Sequence, residues 1–174
     1  MARAESLSMI VLGIDPGLAN TGYGVVERRA GSLVALDGGT IETRSGVPVE
    51  RRLADIHTAV DGLLAAHEPD GMALEELYFG ANVKTAFAVG QARGVAMLAA
   101  GGRGVPCQSY TPQQVKGAVC GSGRAPKEQV ARMVQALLTL PEPPRSDHAA
   151  DALAVAICHV NRAPIARALA QVHA

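Results

Sequence analysis

The chain has 174 residues, of which 48% are apolar and only 3% aromatic, with no Trp. That length and apolar content exclude disorder throughout and suit one domain whose core is built from Val, Leu, Ile and Ala. Sixteen basic and sixteen acidic side chains cancel, so net charge alone gives no reason to expect a nucleic-acid partner.

Residues 1–8 lack the apolar stretch of a signal peptide and read as a disordered extension. Met9 to Asp15 (MIVLGID) is a short apolar run ending in Asp-Pro-Gly, a buried strand meeting a turn. Gly22–Arg28 and Leu33–Thr43 read as two further strands, with Asp37-Gly38-Gly39 marking a bend or bulge. From Pro48 to Glu68 the apolar residues Leu53, Ile56, Val60, Leu63 and Leu64 recur with a helical period, and Pro69-Asp70-Gly71 stops the helix. Gly71–Leu77 is the next buried strand. Asn82–Ala100 is helical and Val105–Tyr110 a strand. Thr111-Pro112-Gln113-Gln114 combines an N-cap Thr, a first-turn Pro and a Gln at the third position, a helix start. Gly121-Ser122-Gly123 interrupts, Lys127–Leu138 resumes as helix, and Pro141–Pro144 is a rigid connector. Ser146 caps a last helix running to about Arg162, and residues 163–174 read as a tail. Three early strands followed by alternating helices and strands indicate an α/β fold, a mixed five-stranded sheet with helices on both faces. The core domain is expected over residues 9–162.

Charge is unevenly placed. Residues 1–80 carry six basic and twelve acidic side chains, and residues 81–174 ten basic and four acidic. From Lys84 to Arg132, seven basic residues face Glu128 alone. One region can meet phosphates while another gathers carboxylates, the alternative being scattered solvated charge. Three cysteines without a CxxC pair argue against a disulfide framework or a zinc site and suit a reducing, cytoplasmic setting. No run is long and apolar enough to span a membrane.

Three acidic residues stand in costly places. Asp15 ends the first strand, Glu75 interrupts the apolar strand Met72-Ala73-Leu74, and Asp151 lies in the Ala-rich helix. Burying a carboxylate without compensation is expensive, and no Lys or Arg adjoins any of the three in sequence, so a divalent cation is the economical explanation. Each also has a plainer reading: a turn residue, an outward-facing edge residue and a solvated helix residue. His148 and Asp147 lie three and four residues before Asp151, so either shares a face with it. Asp147, directly after the cap, also has a sufficient structural role against the helix dipole. The glycine turn from Asp15 to Gly22 admits a weak phosphate-binding reading, as in actin-like ATPases, but the chain leaves little room for a second nucleotide-binding subdomain.

GIDPGLANTGYGVV at 13–26, ALEELYFGANVKTAFAVGQARGVAML at 73–98, QQVKGAVCGSGRAPKEQVARMV at 113–134 and SDHAADALAVAICH at 146–159 together resemble the RuvC family of Holliday-junction resolvases. The resemblance runs in order from about Met9 to His159. It implies a ribonuclease-H-like nuclease that acts as a homodimer, nicks two opposed strands of a four-way DNA junction, and works with a branch-migration motor of the RuvA and RuvB type. It implies Asp15, Glu75 and Asp151 as catalytic metal ligands. The family's remaining acidic position falls on His148, leaving His148 or neighbouring Asp147 to complete the set. Two metal ions per site, Mg²⁺ or Mn²⁺, suit such oxygen-rich donors, and an imidazole tilts the choice toward Mn²⁺. Lys116 and Lys127 match DNA-contacting lysines, with Arg124 between them in the same basic stretch. Tyr78, with Phe79 beside it, matches an aromatic that stacks on unpaired bases. The dimer helix corresponds to about Asn82–Ala100. A branched-DNA binding module without catalysis would predict one of the three carboxylates missing, and a nuclease of the same fold acting on RNA or transposon ends stays open.

Overall fold

The computed structural model describes residues 8–76 and 82–172, the side chains of 164–172 excepted. Strands β1 (Met9–Asp15), β2 (Asn20–Arg29) and β3 (Ser32–Glu42) form an antiparallel meander. After helix α1 (Val49–His67), strand β4 (Gly71–Glu75) returns parallel to β1. Helix α2 (Val83–Gly102) then leads to β5 (Cys107–Tyr110), parallel to β4. Helices α3 (Pro112–Cys120), α4 (Lys127–Leu137) and α5 (Asp147–Val172) complete the chain. The sheet order is β3-β2-β1-β4-β5, the expected mixed α/β architecture.

The core divides by the two-residue period of the strands. Met9 and Val11 of β1 and Ala73 of β4 join the apolar cluster of α3, α4 and α5. Leu12, Ile14, Met72 and Leu74 join the opposite cluster with α1 and α2. Continuing the alternation places Asp15 and Glu75 on the face that α5 covers. In β4 that face is lined by small Ala73, which leaves room for a helix but supplies nothing polar to satisfy a carboxylate.

Several boundaries differ from the sequence expectation. Strand β5 begins at Cys107, because Pro106 has no N–H to give to the sheet. The bulge lies on β3 just before the expected glycine pair: Val25 and Val26 pair with Asp37 and Ala35, leaving Leu36 as the extra residue. Helix α5 does not stop near Arg162 but continues to Val172, so the expected tail is helical over residues 163–172. Ala166, Ala168, Leu169 and Ala170 are strong helix formers that carry it past Pro164. Ser8 is tied by a 2.7 Å hydrogen bond from its hydroxyl to Glu27, while the rest of the expected extension, residues 1–7, lies outside the described residues. The predicted caps are present. Thr111 and Gln114 form a reciprocal capping box, and the Ser146 hydroxyl accepts from Ala149 N–H at 3.0 Å.

Helix α5 lies on β1 and β2 with backbone almost touching backbone. A Cβ on Gly13 would sit 2.0 Å from the carbonyl oxygen of Ala152, and one on Gly22 would sit 2.0 Å from that of His148. Gly22→Ala should therefore lift the N-terminal turns of α5 and destabilise the fold by about 1–3 kcal/mol. Gly62→Ala, in α1 with open space around it, should be neutral or stabilising by about 0.5–1 kcal/mol. Urea unfolding of both variants checks this; equal midpoints would show that the close approach does not matter.

Candidate active site

The parallel pairing of β1 and β4 runs Val11 to Gly71 through Ile14 to Leu74. Asp15 and Glu75 are the next residues on each strand, so the register sets the two carboxylates side by side at the ends of neighbouring strands. Because both lie on the α5 face, they meet the first turns of that helix. There His148 Nδ1 is 2.8 Å from Asp15 Oδ2, a hydrogen bond and, when the ring is protonated, an ion pair. Asp151, three residues on and therefore on the same helix face, brings the third carboxylate within electrostatic reach of the other two.

The charges are crowded and partly dry. Burial first, then repulsion from Asp151 and Asp15, pushes the Glu75 carboxyl up to about 7, against the opposing pull of Lys116 and Lys127. Burial likewise raises Asp15, opposed by its hydrogen bond to His148 and by the charges of His148 and Lys127. Asp151 is raised by burial and by its acidic neighbours, with Lys127 opposing. All three carboxyls thus resist ionising, because burial outweighs the pull of the nearby His148, Lys116 and Lys127.

The donor set fits a divalent cation by its chemistry: three carboxylates that gain from added positive charge, and one imidazole. Among the described residues, however, no three such side chains are already drawn together closely enough to grip an ion. A lysine is paired with one of them. Lys127, the first residue of α4, places Nζ 3.6 Å from Asp151 Oδ2 and 3.2 Å from Asp147 Oδ2. Asp151 thus has a basic neighbour in space although none adjoins it in sequence. No sequence signal could have found the pair, since Lys127 lies on a different helix and comes close only through the packing of α4 against α5.

The other expected residues distribute as follows. Lys116 and Lys127 line a cleft of about 230 Å³ together with Glu75 and Asp151, so the two lysines and the carboxylates face one space. Arg124 stands exposed on the turn between α3 and α4, outside that cleft. Tyr78 and Phe79 lie outside the described residues. Asp147 is 80% exposed and turned to Lys127, whereas His148 is turned to Asp15. The glycine turn after β1 closes on itself, the Thr21 hydroxyl donating to Gly17 O at 2.6 Å, which leaves a phosphate-cradling reading without support.

A sheet of this order with carboxylates at the ends of β1 and β4 and on a helix laid across them defines a ribonuclease-H-like nuclease. The model of the family "Crossover junction endodeoxyribonuclease RuvC" matches residues 11–159. A crossover junction endodeoxyribonuclease RuvC from Moorella thermoacetica is 58% identical over 156 residues, covering 90% of this chain and 93% of its own. Among solved structures, Thermus thermophilus RuvC superposes with a TM-score of 0.84 at 40% identity, covering 91% of this chain and 97% of that one. The same organism's RuvC in complex with a Holliday junction substrate gives 0.83 at 38% identity, with 90% and 96% covered. The chain belongs to the RuvC family of crossover junction endodeoxyribonucleases, metal-dependent enzymes of DNA recombination and repair.

A site assembled at such electrostatic expense should cost stability. Because the folded Glu75 carboxyl titrates near 7 and an unfolded one near 4.5, the stability it allows is full below about pH 4.5 and falls as pH rises through 7. Without divalent ions, Glu75→Gln should therefore raise Tm at pH 8 by about 2–4 °C, with the gain vanishing near pH 4.5. Thermal melts of wild type and variant in EDTA at the two pH values check it; no gain at pH 8 would show that Glu75 is adequately compensated.

Proposed function

We propose that this chain resolves four-way DNA junctions by paired symmetric nicks, with Asp15, Glu75, His148 and Asp151 holding two divalent cations, Mg²⁺ or Mn²⁺. The observation that carries this is the meeting of three partly buried carboxylates from three separate elements: Glu75 and Asp151 line one cleft with Lys116 and Lys127, and Asp15, beside Glu75 on the neighbouring strand, is within electrostatic reach of both. Bound there, two cations would supply positive charge against the attacked phosphate and its leaving oxygen.

The chain's own groups divide the remaining work. The sheet register sets Asp15 and Glu75 side by side, and the hydrogen bond that His148 Nδ1–H donates to Asp15 orients the ring, so that Nε2 would be the nitrogen offered to a cation. Asp151 approaches from the helix. Lys116 and Lys127, across the cleft, are placed to meet phosphates of the bound strand, with Arg124 on the neighbouring turn available to the flanking backbone. Tyr78 and Phe79, a few residues beyond Glu75, would stack on bases opened at the crossover.

A junction is roughly two-fold symmetric, and paired nicks need two sites, so a homodimer is the matching assembly. Support for its packing through α2 comes from that helix's exposed apolar residues Val83, Phe87 and Leu98. Partnership with a branch-migration motor of the RuvA and RuvB type follows from the family's known working context. A cytoplasmic site of action fits its DNA substrate; among the described residues no helix is long and apolar enough to cross a membrane.

The test is incubation with a four-way junction and Mg²⁺ or Mn²⁺, reading nick positions on every strand. Wild type should give symmetric pairs of nicks. Asp15→Asn, Glu75→Gln and Asp151→Asn should each lose cutting by about 10²-fold or more while junction binding survives. His148→Ala should lose most activity and Asp147→Ala little. Full activity in His148→Ala with loss in Asp147→Ala would reverse the assignment of the fourth ligand.

A further inference from the structure

Lys127 combines two features that pull in different directions. Its side chain is 60% exposed and lines the cleft where a phosphate would pass, yet its ammonium is held between the carboxylates of Asp147 and Asp151, at 3.2 and 3.6 Å. Asp151 is the less exposed of the two partners, at 31%, and belongs to the metal cluster, whereas Asp147 is almost fully exposed. Helical spacing explains the bracket, since residues four apart on α5 present two carboxylates to one point. Lys127 occupies that point because Pro126 ends the preceding loop and Lys127 opens α4 directly opposite. Asp15, by contrast, is tied to His148, whose imidazole can itself serve as a ligand beside a cation on Asp15. An ammonium cannot share a carboxylate oxygen with a divalent ion in this way: it carries like charge and no lone pair.

We propose that Lys127 is a built-in counter-ion that a divalent cation must displace from Asp151, so that metal loading and phosphate binding are coupled through this one side chain. In the free protein the ammonium neutralises the outer half of the cluster and occupies Asp151 Oδ2. A phosphate of the bound strand gives it a new partner and frees Asp151; a cation on Asp151 expels it toward the phosphate. By linkage the two effects are equal in free energy, so DNA strengthens metal binding by the factor by which metal strengthens DNA binding at this contact. Asp147, which is not needed as a ligand, gains a role as the second arm holding the lysine in waiting. The inference rests on the metal-site reading above and adds the competition.

The experiment titrates free Mn²⁺ by electron paramagnetic resonance against the full-length protein without DNA, then with an uncut junction. Lys127→Met should bind Mn²⁺ about fivefold more tightly than wild type without DNA, the factor expected for a partly exposed ion pair. It should also lose the further tightening that junction DNA produces in wild type. Lys116→Met removes an equal charge that acts on Glu75 without an ion pair to Asp151 among the described contacts, and should change Mn²⁺ affinity clearly less. Asp147→Asn, which removes the second arm, should shift affinity in the same direction as Lys127→Met. Unchanged affinity in Lys127→Met, or equal gains in the two lysine variants, would overturn the inference while leaving the metal site standing. Wild-type Mn²⁺ binding by Asp151→Asn would remove the site itself, and the competition with it.

Discussion

Helix α5 crosses β1 and β2 at two points, Gly13 and Gly22, with no side chain between backbone and backbone, while Met9, Val11 and Val26 pack against it elsewhere. Gly13 and Gly22 face the carbonyl oxygens of Ala152 and His148 at a distance no Cβ could tolerate. The usual separation of a helix from a sheet is set by the side chains between them, and removing those chains lets the helix drop onto the strands. The first turns of α5 then lie low enough for His148 and Asp151 to reach carboxylates that emerge from strand ends. A larger residue at either glycine would leave the same sequence motifs intact and pull the cluster apart.

The cluster is built by two independent periodicities. The alternation of β1 and β4 puts Asp15 and Glu75 on one face, and the parallel register puts them at the same level. The three-residue helical step from His148 to Asp151 supplies the other half. The result is unfavourable by itself, since burial and mutual repulsion push Glu75 up to about 7. The two relieving contacts are unequal. His148 meets Asp15 at 2.8 Å beside the sheet, whereas Lys127 reaches Asp151 at 3.6 Å from a mostly exposed position.

Much of this was legible in the sequence because it depends on local rules. Apolar runs, helical period and the cap signals at Thr111 and Ser146 indicated the strands and helices seen among the described residues. Asp15, Glu75 and Asp151 were conspicuous as carboxylates in apolar surroundings. What escaped was set by partners distant in sequence. The bulge residue Leu36 is displaced by pairing with β2, which the neighbouring glycines only approximate. The continuation of α5 past Pro164 reflects helix formers outweighing one breaker. The Lys127 bracket depends on how α4 packs against α5, and neither helix announces it. The nearness of α5 to the sheet was also hidden: glycines in strands usually signal weakness or a bulge, and here they form a floor.

The most direct measurement is anomalous diffraction from crystals of the protein soaked in Mn²⁺. Two peaks roughly 3.5–4 Å apart are expected, bounded by the carboxylate oxygens of Asp15, Glu75 and Asp151 and a ring nitrogen of His148. A peak bound by Asp147 in place of His148, or no peak at the ends of β1 and β4, would contradict the assignment of this cluster as the metal centre.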